Sequence, residues 1–94
     1  MGFFIADNQN ATREVGAVET VIKVMSVHIN SPIMCKGGSL ALRFISESGQ
    51  EARRDIKEKG GVKILNEVLS VYGNDLSMLK SCCMTIGAIC SESF

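Results

Sequence analysis

The sequence predicts an all-α protein, and three observations point to that class. Apolar residues recur at the spacings of a helix face in several stretches. Serine, aspartate, proline and glycine stand where these stretches begin and end, as they do in helices. The chain also matches itself, because a shift of 44 residues places Gly16 on Gly60 and Lys36 on Lys80 without a gap. A helical period of this length is typical of repeat proteins that stack into solenoids.

The composition limits the classes of function that the chain can have. Its 94 residues are enough for one compact unit. Ten basic and ten acidic residues cancel, and nucleic-acid-binding domains usually carry a basic excess. No apolar run approaches the ~18 residues of a membrane span. We therefore expect no nucleic-acid partner and no membrane span.

The four cysteines lie within apolar helical stretches, which predicts free thiols in a reducing compartment. The expected location is the cytoplasm, with the nucleus as the alternative. Cys83 and Cys90 share one helix face, but a zinc site needs four ligands and His28 is the only histidine. A cysteine nucleophile would also need a positioned base. We expect buried cysteines that act as small hydrophobic residues, with no metal, no cofactor and no catalytic residue.

The first predicted helix follows a short N-terminal segment. Residues 1–6 are apolar and look like the end of a preceding helix. Residues 17–27 carry Val18, Val21 and Met25 on one face, with polar residues elsewhere. This pattern predicts an amphipathic helix of three turns.

Two longer helices are predicted over residues 31–46 and 75–90, and they are copies of each other. Ser31 and Asp75 are suitable N-cap residues, because a side-chain oxygen can accept a hydrogen bond from a free amide of the first turn. One face of each helix is apolar or small at the same five positions. These positions are Met34, Gly38, Ala41, Leu42 and Ile45 in the first helix, and Met78, Cys82, Thr85, Ile86 and Ile89 in the second. The small residue four positions after each methionine would let the preceding helix come close.

Two shorter helices are predicted between the long ones. Residues 52–59 are mostly charged, and Asp55 and Lys59 have the four-residue spacing that supports a helix. The glycine pair that begins at Gly60 ends this helix, and residues 62–71 repeat the amphipathic pattern. Equivalent positions of adjacent repeats face each other, so we expect one continuous core across the junction. That core is predicted to contain Val21, Met25, Met34, Leu42, Ile45, Ile56, Leu65, Leu69 and Ile86.

The repeated unit resembles an armadillo repeat, with a short first helix, a glycine turn, a second helix and a long third helix. The segments that carry the resemblance are Ile45-Ser46 through Glu51, Arg53 and Ile56 to Gly60-Gly61-Val62, then Gly16-Ala17-Val18, Ser31-Pro32 and Gly38-Ser39-Leu40-Ala41-Leu42. The resemblance divides the chain into residues 1–6, the end of a preceding repeat, and two repeats at 7–46 and 47–94. HEAT repeats are the nearest rival, but they have two helices per unit, and the separate helix at 52–59 argues against them.

Membership of the armadillo family would imply a right-handed superhelix whose third helices line a concave groove. It would also imply protein–protein interaction as the function, without catalysis. The positions that hold the peptide ladder of the importins match Leu40, Phe44, Met84 and Ala88, and none of them is tryptophan or asparagine. Recognition of nuclear-localisation signals by that ladder is therefore not expected. The alternative function is a regulatory or oligomerisation segment of an enzyme whose catalytic domain lies outside this chain.

The predicted groove carries an apolar strip edged with basic residues. Its residues are Lys36, Leu40, Arg43, Phe44, Lys80, Met84 and Ala88. Such a strip would accept an amphipathic or acidic-hydrophobic segment of a partner protein, with Leu40, Phe44 and Met84 as anchors. The other interpretation is that Leu40 and Phe44 pack on a neighbouring repeat or on another part of a larger protein.

Neither end of the predicted array carries the polar capping repeat that natural solenoids use. We therefore expect the chain to self-associate through one or both ends. The contact is expected to be mainly apolar and to involve Phe3, Phe4 or the face formed by Met78, Ile86 and Ile89.

Overall fold

The computed structural model describes residues 16–91, which form five α-helices joined by short turns. The helices are α1 (Ala17–Val27), α2 (Pro32–Ser46), α3 (Gln50–Glu58), α4 (Gly61–Tyr72) and α5 (Leu76–Cys90). This described part of the chain contains no strand. The all-α class predicted from the sequence is confirmed.

The two long helices, α2 and α5, begin in the same way. The side chain of Ser31 accepts a hydrogen bond from the Met34 amide at 3.3 Å, and Asp75 accepts one from the Met78 amide at 3.2 Å. Both N-caps are as predicted. Pro32 occupies the first turn of α2, where a missing N–H removes no helical hydrogen bond. Both helices have 15 residues, and their bounds differ by the 44-residue period of the sequence.

The short helix α3 begins two residues before its predicted start. Gly49 has φ 139°, a conformation that favours glycine, and its carbonyl accepts the Arg53 amide at 3.1 Å. The helix therefore starts at Gln50, and it ends at Glu58 with Lys59 as the C-cap. The sequence pattern placed the start at the first apolar residue, Ala52, which the backbone at Gly49 overrides.

Glycines set the turns that lead into α1 and α4. Gly16 and Gly60 precede these helices with φ 79° and 91°, both in the left-handed region. Gly61 follows and is buried, and a Cβ there would lie 2.9 Å from the Ile56 carbonyl oxygen. The turn between α3 and α4 is tight enough to exclude any side chain at this position.

Helices α2 and α5 form the centre of the molecule and contact each other more extensively than any other pair. The hydrophobic core draws residues from all five helices. It consists of Val18, Met25, Cys35, Leu42, Ile45, Ala52, Ile56, Ile64, Leu65, Val68, Met78, Cys82 and Ile89. Val21, Leu69 and Ile86 are partly buried against this core. One continuous core across the two halves of the chain is therefore confirmed.

Met34 is the exception among the predicted core residues. Its side chain is 39% exposed, whereas the equivalent Met78 is 2% exposed. The neighbouring Cys35 is buried in its place. The prediction that Met34 is a core residue is wrong. The two helices pack through non-equivalent faces, so Met78 of α5 is buried and the equivalent Met34 of α2 is not.

Helices α1 and α2 come close at Gly38, as the small residue there predicts. A Cβ at Gly38 would lie 2.6 Å from Met25 Sδ, which is too short for a real contact. Met25 is fully buried above this glycine. The glycine therefore makes room for the largest core side chain of α1.

Polar contacts join sequence-distant segments at the surface. Lys59 Nζ lies 2.9 Å from Asp55, the predicted ion pair, and 3.3 Å from Glu19 on α1. The hydrogen bond to Asp55, followed by that to Glu19, raises the pKa of Lys59. Near the turn between α1 and α2, Tyr72 Oη donates to the Ile29 carbonyl at 2.8 Å. These contacts connect α1 and the turn after it to α3 and α4.

Candidate functional site

Helices α2 and α5 contact each other through short hydroxyl side chains. Ser39 and Thr85 are fully buried there, and their hydroxyl oxygens are 3.0 Å apart. Thr85 Oγ1 lies 2.8 Å from the Ser81 carbonyl oxygen, and Ser39 Oγ lies 3.3 Å from that oxygen. Each hydroxyl has only one proton to donate. The two hydroxyls therefore divide the acceptors between them, which are the Ser81 carbonyl oxygen and each other's oxygen. The small side chains keep the two helices close, and the longer side chains beside them line the surface.

A groove of about 550 Å³ opens between α2 and α5. Residues one turn apart on α5 form one wall, because positions separated by four residues lie on the same helix face. Helix α2 supplies the other wall. The lining residues are Leu40 and Arg43 from α2, and Leu76, Ser77, Lys80, Ser81 and Met84 from α5. We call this surface the α2–α5 groove.

The α2–α5 groove combines apolar surface with positive charge. Leu40, Leu76 and Met84 are exposed large hydrophobic residues at 47%, 69% and 50% of their surface. Arg43 and Lys80 are the charged residues of the lining, which contains no aspartate or glutamate. The groove can therefore offer van der Waals contact to apolar side chains and ion pairs to carboxylates.

Lys36 adds a third basic side chain at the edge of the groove. Its Nζ donates a hydrogen bond to the hydroxyl of Ser77, a lining residue, at 2.6 Å. The bond bridges α2 and α5 and is exposed to solvent. A carboxylate that approached the groove here would meet an ammonium group already held in position.

The structure brings four of the seven predicted groove residues together. Leu40, Arg43, Lys80 and Met84 line the groove, as the repeat pattern indicated. Lys36 contacts its edge through Ser77, as described above. The remaining two, Phe44 and Ala88, lie one helical turn beyond the lining residues Leu40 and Met84; Phe44 is 37% exposed and Ala88 is half-buried.

Three lining residues, Leu76, Ser77 and Ser81, are not among those predicted from the sequence. Leu76 is the largest omission because it is the most exposed hydrophobic residue of the groove. A signal was present, since Leu76 precedes Lys80 and Met84 by one and two turns of the same helix. The equivalent position in α2 is Pro32, whose role at the helix start concealed the pattern.

The cysteines divide into two buried and two exposed thiols. Cys35 and Cys82 are buried, and burial raises the pKa of both thiols. Cys83 and Cys90 are exposed, so the expectation that they are buried hydrophobic residues is wrong. Both lie on α5, where the described helices leave their side chains exposed.

The described residues hold no cluster of metal-binding side chains. Within residues 16–91, no group of three or more histidine, cysteine, aspartate or glutamate side chains is placed to bind an ion. His28 lies exposed in the turn after α1. The nearest cysteine in that region, Cys35, directs its thiol to the carbonyl oxygens of His28 and Ile29, at 3.6 Å each.

The residues predicted for self-association are placed differently from the expectation. Met78 and Ile89 are buried inside the chain, and Ile86 is partly buried. These residues face α2 and the core, so they cannot form the outer surface of α5. Phe3 and Phe4, the other predicted contacts, lie outside the described residues.

The fold and the groove define this part of the chain as an all-helical protein with a mixed apolar and basic surface groove. Comparison of the chain with family models, curated proteins and solved structures gives no match in any of the three. None of the helices within residues 16–91 has both the length and the apolar character needed to cross a membrane.

Proposed function

We propose that the chain is a protein–protein interaction module with two armadillo-like repeats, and that its α2–α5 groove binds a segment of a partner protein. The chemistry of the groove is the observation that carries this proposal. Three exposed apolar side chains lie beside Arg43, Lys80 and Lys36, and no carboxylate lines the groove. The partner segment that complements it has apolar side chains one turn or two residues apart, with aspartate or glutamate next to them.

The armadillo-like arrangement is supported by the helix bounds and by the turns. Helices α2 and α5 have equal lengths and the same register in the 44-residue period. Gly16 and Gly60 hold the same left-handed conformation at equivalent positions. In the proposed armadillo-like array, α2 and α5 would be the third helices of successive repeats, and the α2–α5 groove would lie on the concave side.

Binding of matched peptides to the 94-residue chain tests the proposal. The first probe alternates leucine or phenylalanine with glutamate, the second replaces each glutamate by lysine, and the third replaces each apolar residue by serine. We expect fluorescence anisotropy to show binding of the first probe only. This binding should weaken as salt increases, because screening reduces the attraction between exposed charges.

Substitutions in the groove separate specific binding from non-specific binding. Lys80→Glu should weaken binding of the acidic probe by about tenfold or more, because it places like charges together in the groove. Leu40→Ser should weaken binding by removing an apolar anchor. Lys63→Glu is the matched control, because Lys63 is an exposed lysine of α4 outside the groove lining. Equal binding of the acidic and basic probes, or loss of binding in Lys63→Glu alone, would refute the groove as the binding site.

A further inference from the structure

Equivalent positions of α2 and α5 differ in burial in a regular way. Five residues of α2 are buried, and three of them, Cys35, Ser39 and Ser46, lose this burial at the equivalent positions of α5. Their equivalents 44 residues later, Leu79, Cys83 and Cys90, are all exposed. This face of α2 packs on the second half of the chain, with Ser39 against α5 and Ser46 against Arg53 of α3. Its counterpart on α5 is exposed in the described structure.

The opposite exchange occurs on the other face of the two helices. Met78, Cys82 and Thr85 of α5 are buried against α2 and the core. Their equivalents are less covered, since Met34 is exposed and Gly38 and Ala41 are half-buried. Each long helix thus has two apolar faces, and the contact inside the chain uses one face of each.

We name the two remaining faces by their residues. The tail face of α5 consists of Leu79, Cys83 and Cys90, and the head face of α2 consists of Met34, Gly37 and Ala41. Neither face contains a charged residue. Gly37 leaves open space in the head face, because a Cβ there would meet no atom within 4 Å. The head face is therefore flat enough for another helix to come close.

We propose that the chain associates head to tail, with the tail face of one copy seated on the head face of the next. The second copy is the occupant that the structure indicates, because the contact between α2 and α5 already shows how these helix positions fit together. The proposal goes beyond groove binding and does not depend on it. Since the two faces differ, the contact is heterologous, and repeated addition gives a ring or an open chain and not a two-fold dimer.

The contact between copies would be more apolar than the contact inside the chain. Inside the chain, Ser39 and Thr85 pair through their hydroxyls. In the same register, Cys83 takes the place of Ser39, and Ala41 of the next copy takes the place of Thr85. The association should therefore respond weakly to salt, unlike binding in the α2–α5 groove. This difference separates failure of one proposal from failure of the other.

Sedimentation of the 94-residue chain and two charge variants tests the proposal. The wild-type mass should rise above that of the 10.1 kDa monomer as the protein concentration increases. Leu79→Glu removes the tail face, and Met34→Glu removes the head face. Each variant alone should remain monomeric. An equal mixture should form a dimer of defined size, because each variant supplies the face that the other has lost.

Controls keep the result independent of folding. Val71→Glu is the matched control, since Val71 is 49% exposed on α4 and belongs to neither face, and it should associate like the wild type. Circular dichroism verifies that each variant is helical. If Leu79→Glu or Met34→Glu unfolds, Cys83→Asp and Ala41→Asp test the same two faces.

Three outcomes would overturn the proposal. A wild-type chain that stays monomeric up to millimolar concentration would mean that another protein or segment covers these faces. A mixture of the two variants that stays monomeric would exclude heterologous pairing. A wild-type oligomer in which iodoacetamide still alkylates Cys83 at the monomer rate would place the contact elsewhere.

Discussion

Helices α2 and α5 have the same length and the same kind of N-cap, but equivalent positions of the two helices differ in burial. The more polar side chains are the buried ones. Helix α2 buries serines, Ser39 and Ser46, where α5 exposes Cys83 and Cys90. The buried hydroxyl of Ser39 is satisfied by Thr85 and the Ser81 carbonyl, so its burial leaves no polar group unpaired. Burial along these helices is therefore set by the neighbouring helix and not by the hydrophobicity of each residue.

The two methionines that begin the helices offer the strongest test of this difference. Met78→Ala should lower the free energy of unfolding by ~2–5 kcal/mol, because Met78 is 2% exposed and its loss leaves a cavity. Met34→Ala should lower it by about 1 kcal/mol or less, since the side chain is 39% exposed. Urea unfolding in dilute solution measures both values. Equal losses for the two substitutions would show that α2 and α5 are covered alike.

Adjacent glycines of α2 should respond to alanine with opposite signs. Gly37→Ala should stabilise the protein by ~0.5–1 kcal/mol, because the new methyl group meets open space and alanine favours the helix. Gly38→Ala should destabilise it by up to about 2 kcal/mol, because the methyl group overlaps the buried side chain of Met25.

Thermal melts of the two glycine variants provide the measurement, and each variant controls for the other. The equivalent of Gly38 in α5 is Cys82, so this close approach distinguishes the first half of the chain from the second. Stabilisation by Gly38→Ala would mean that α1 and α2 are farther apart than the structure shows.

Thiol reactivity should separate the neighbours Cys82 and Cys83. In the dilute native protein, iodoacetamide should alkylate Cys83 and Cys90, whereas Cys35 and Cys82 should react about a hundredfold more slowly or only after unfolding. Mass spectrometry after digestion identifies the modified sites. Alkylation of Cys82 at the rate of Cys83 would contradict the burial of Cys82.

The buried thiols also give a small pH dependence of stability. Burial raises the pKa of Cys35 and of Cys82, so the unfolded chain loses these protons at lower pH than the folded chain does. The resulting stabilisation is present below the pKa of the unfolded thiol and is lost as the pH rises through the folded pKa. Cys82→Ala should reduce this alkaline loss, as measured by urea unfolding across that pH range.

Local signals were enough to predict the helices. The capping residues Ser31 and Asp75 and the periodic apolar residues placed four helices to within one residue at each end. The start of α3 was missed, because only the backbone conformation of Gly49 shows that the helix begins there. Long-range position was harder to predict, since the sequence of α2 does not state which of its two apolar faces meets α5. This ambiguity explains the wrong expectation for Met34.

The sequence predicts only part of the candidate groove, because it shows the pattern within each helix but not how the two helices approach each other. The periodicity of α5 identifies the side of the helix that carries Lys80 and Met84, and the structure places both in the groove lining. The sequence could not show that Lys36 reaches Ser77, because that contact depends on how closely α2 and α5 approach. Nor could it show that Leu76 continues the lining, since the equivalent position of α2 is proline.

The hydrogen bond from Tyr72 to the Ile29 carbonyl links two turns at one end of the molecule. In the turn before α2, the Ser31 amide donates a hydrogen bond to the His28 carbonyl. In the turn before α5, the Asp75 amide donates one to the Tyr72 carbonyl. Because Tyr72 takes part in both regions, fraying of the last turn of α4 releases an anchor of the earlier turn. We therefore expect the amide hydrogens of the two turns to exchange through a shared opening event, although 43 positions separate the bonded residues.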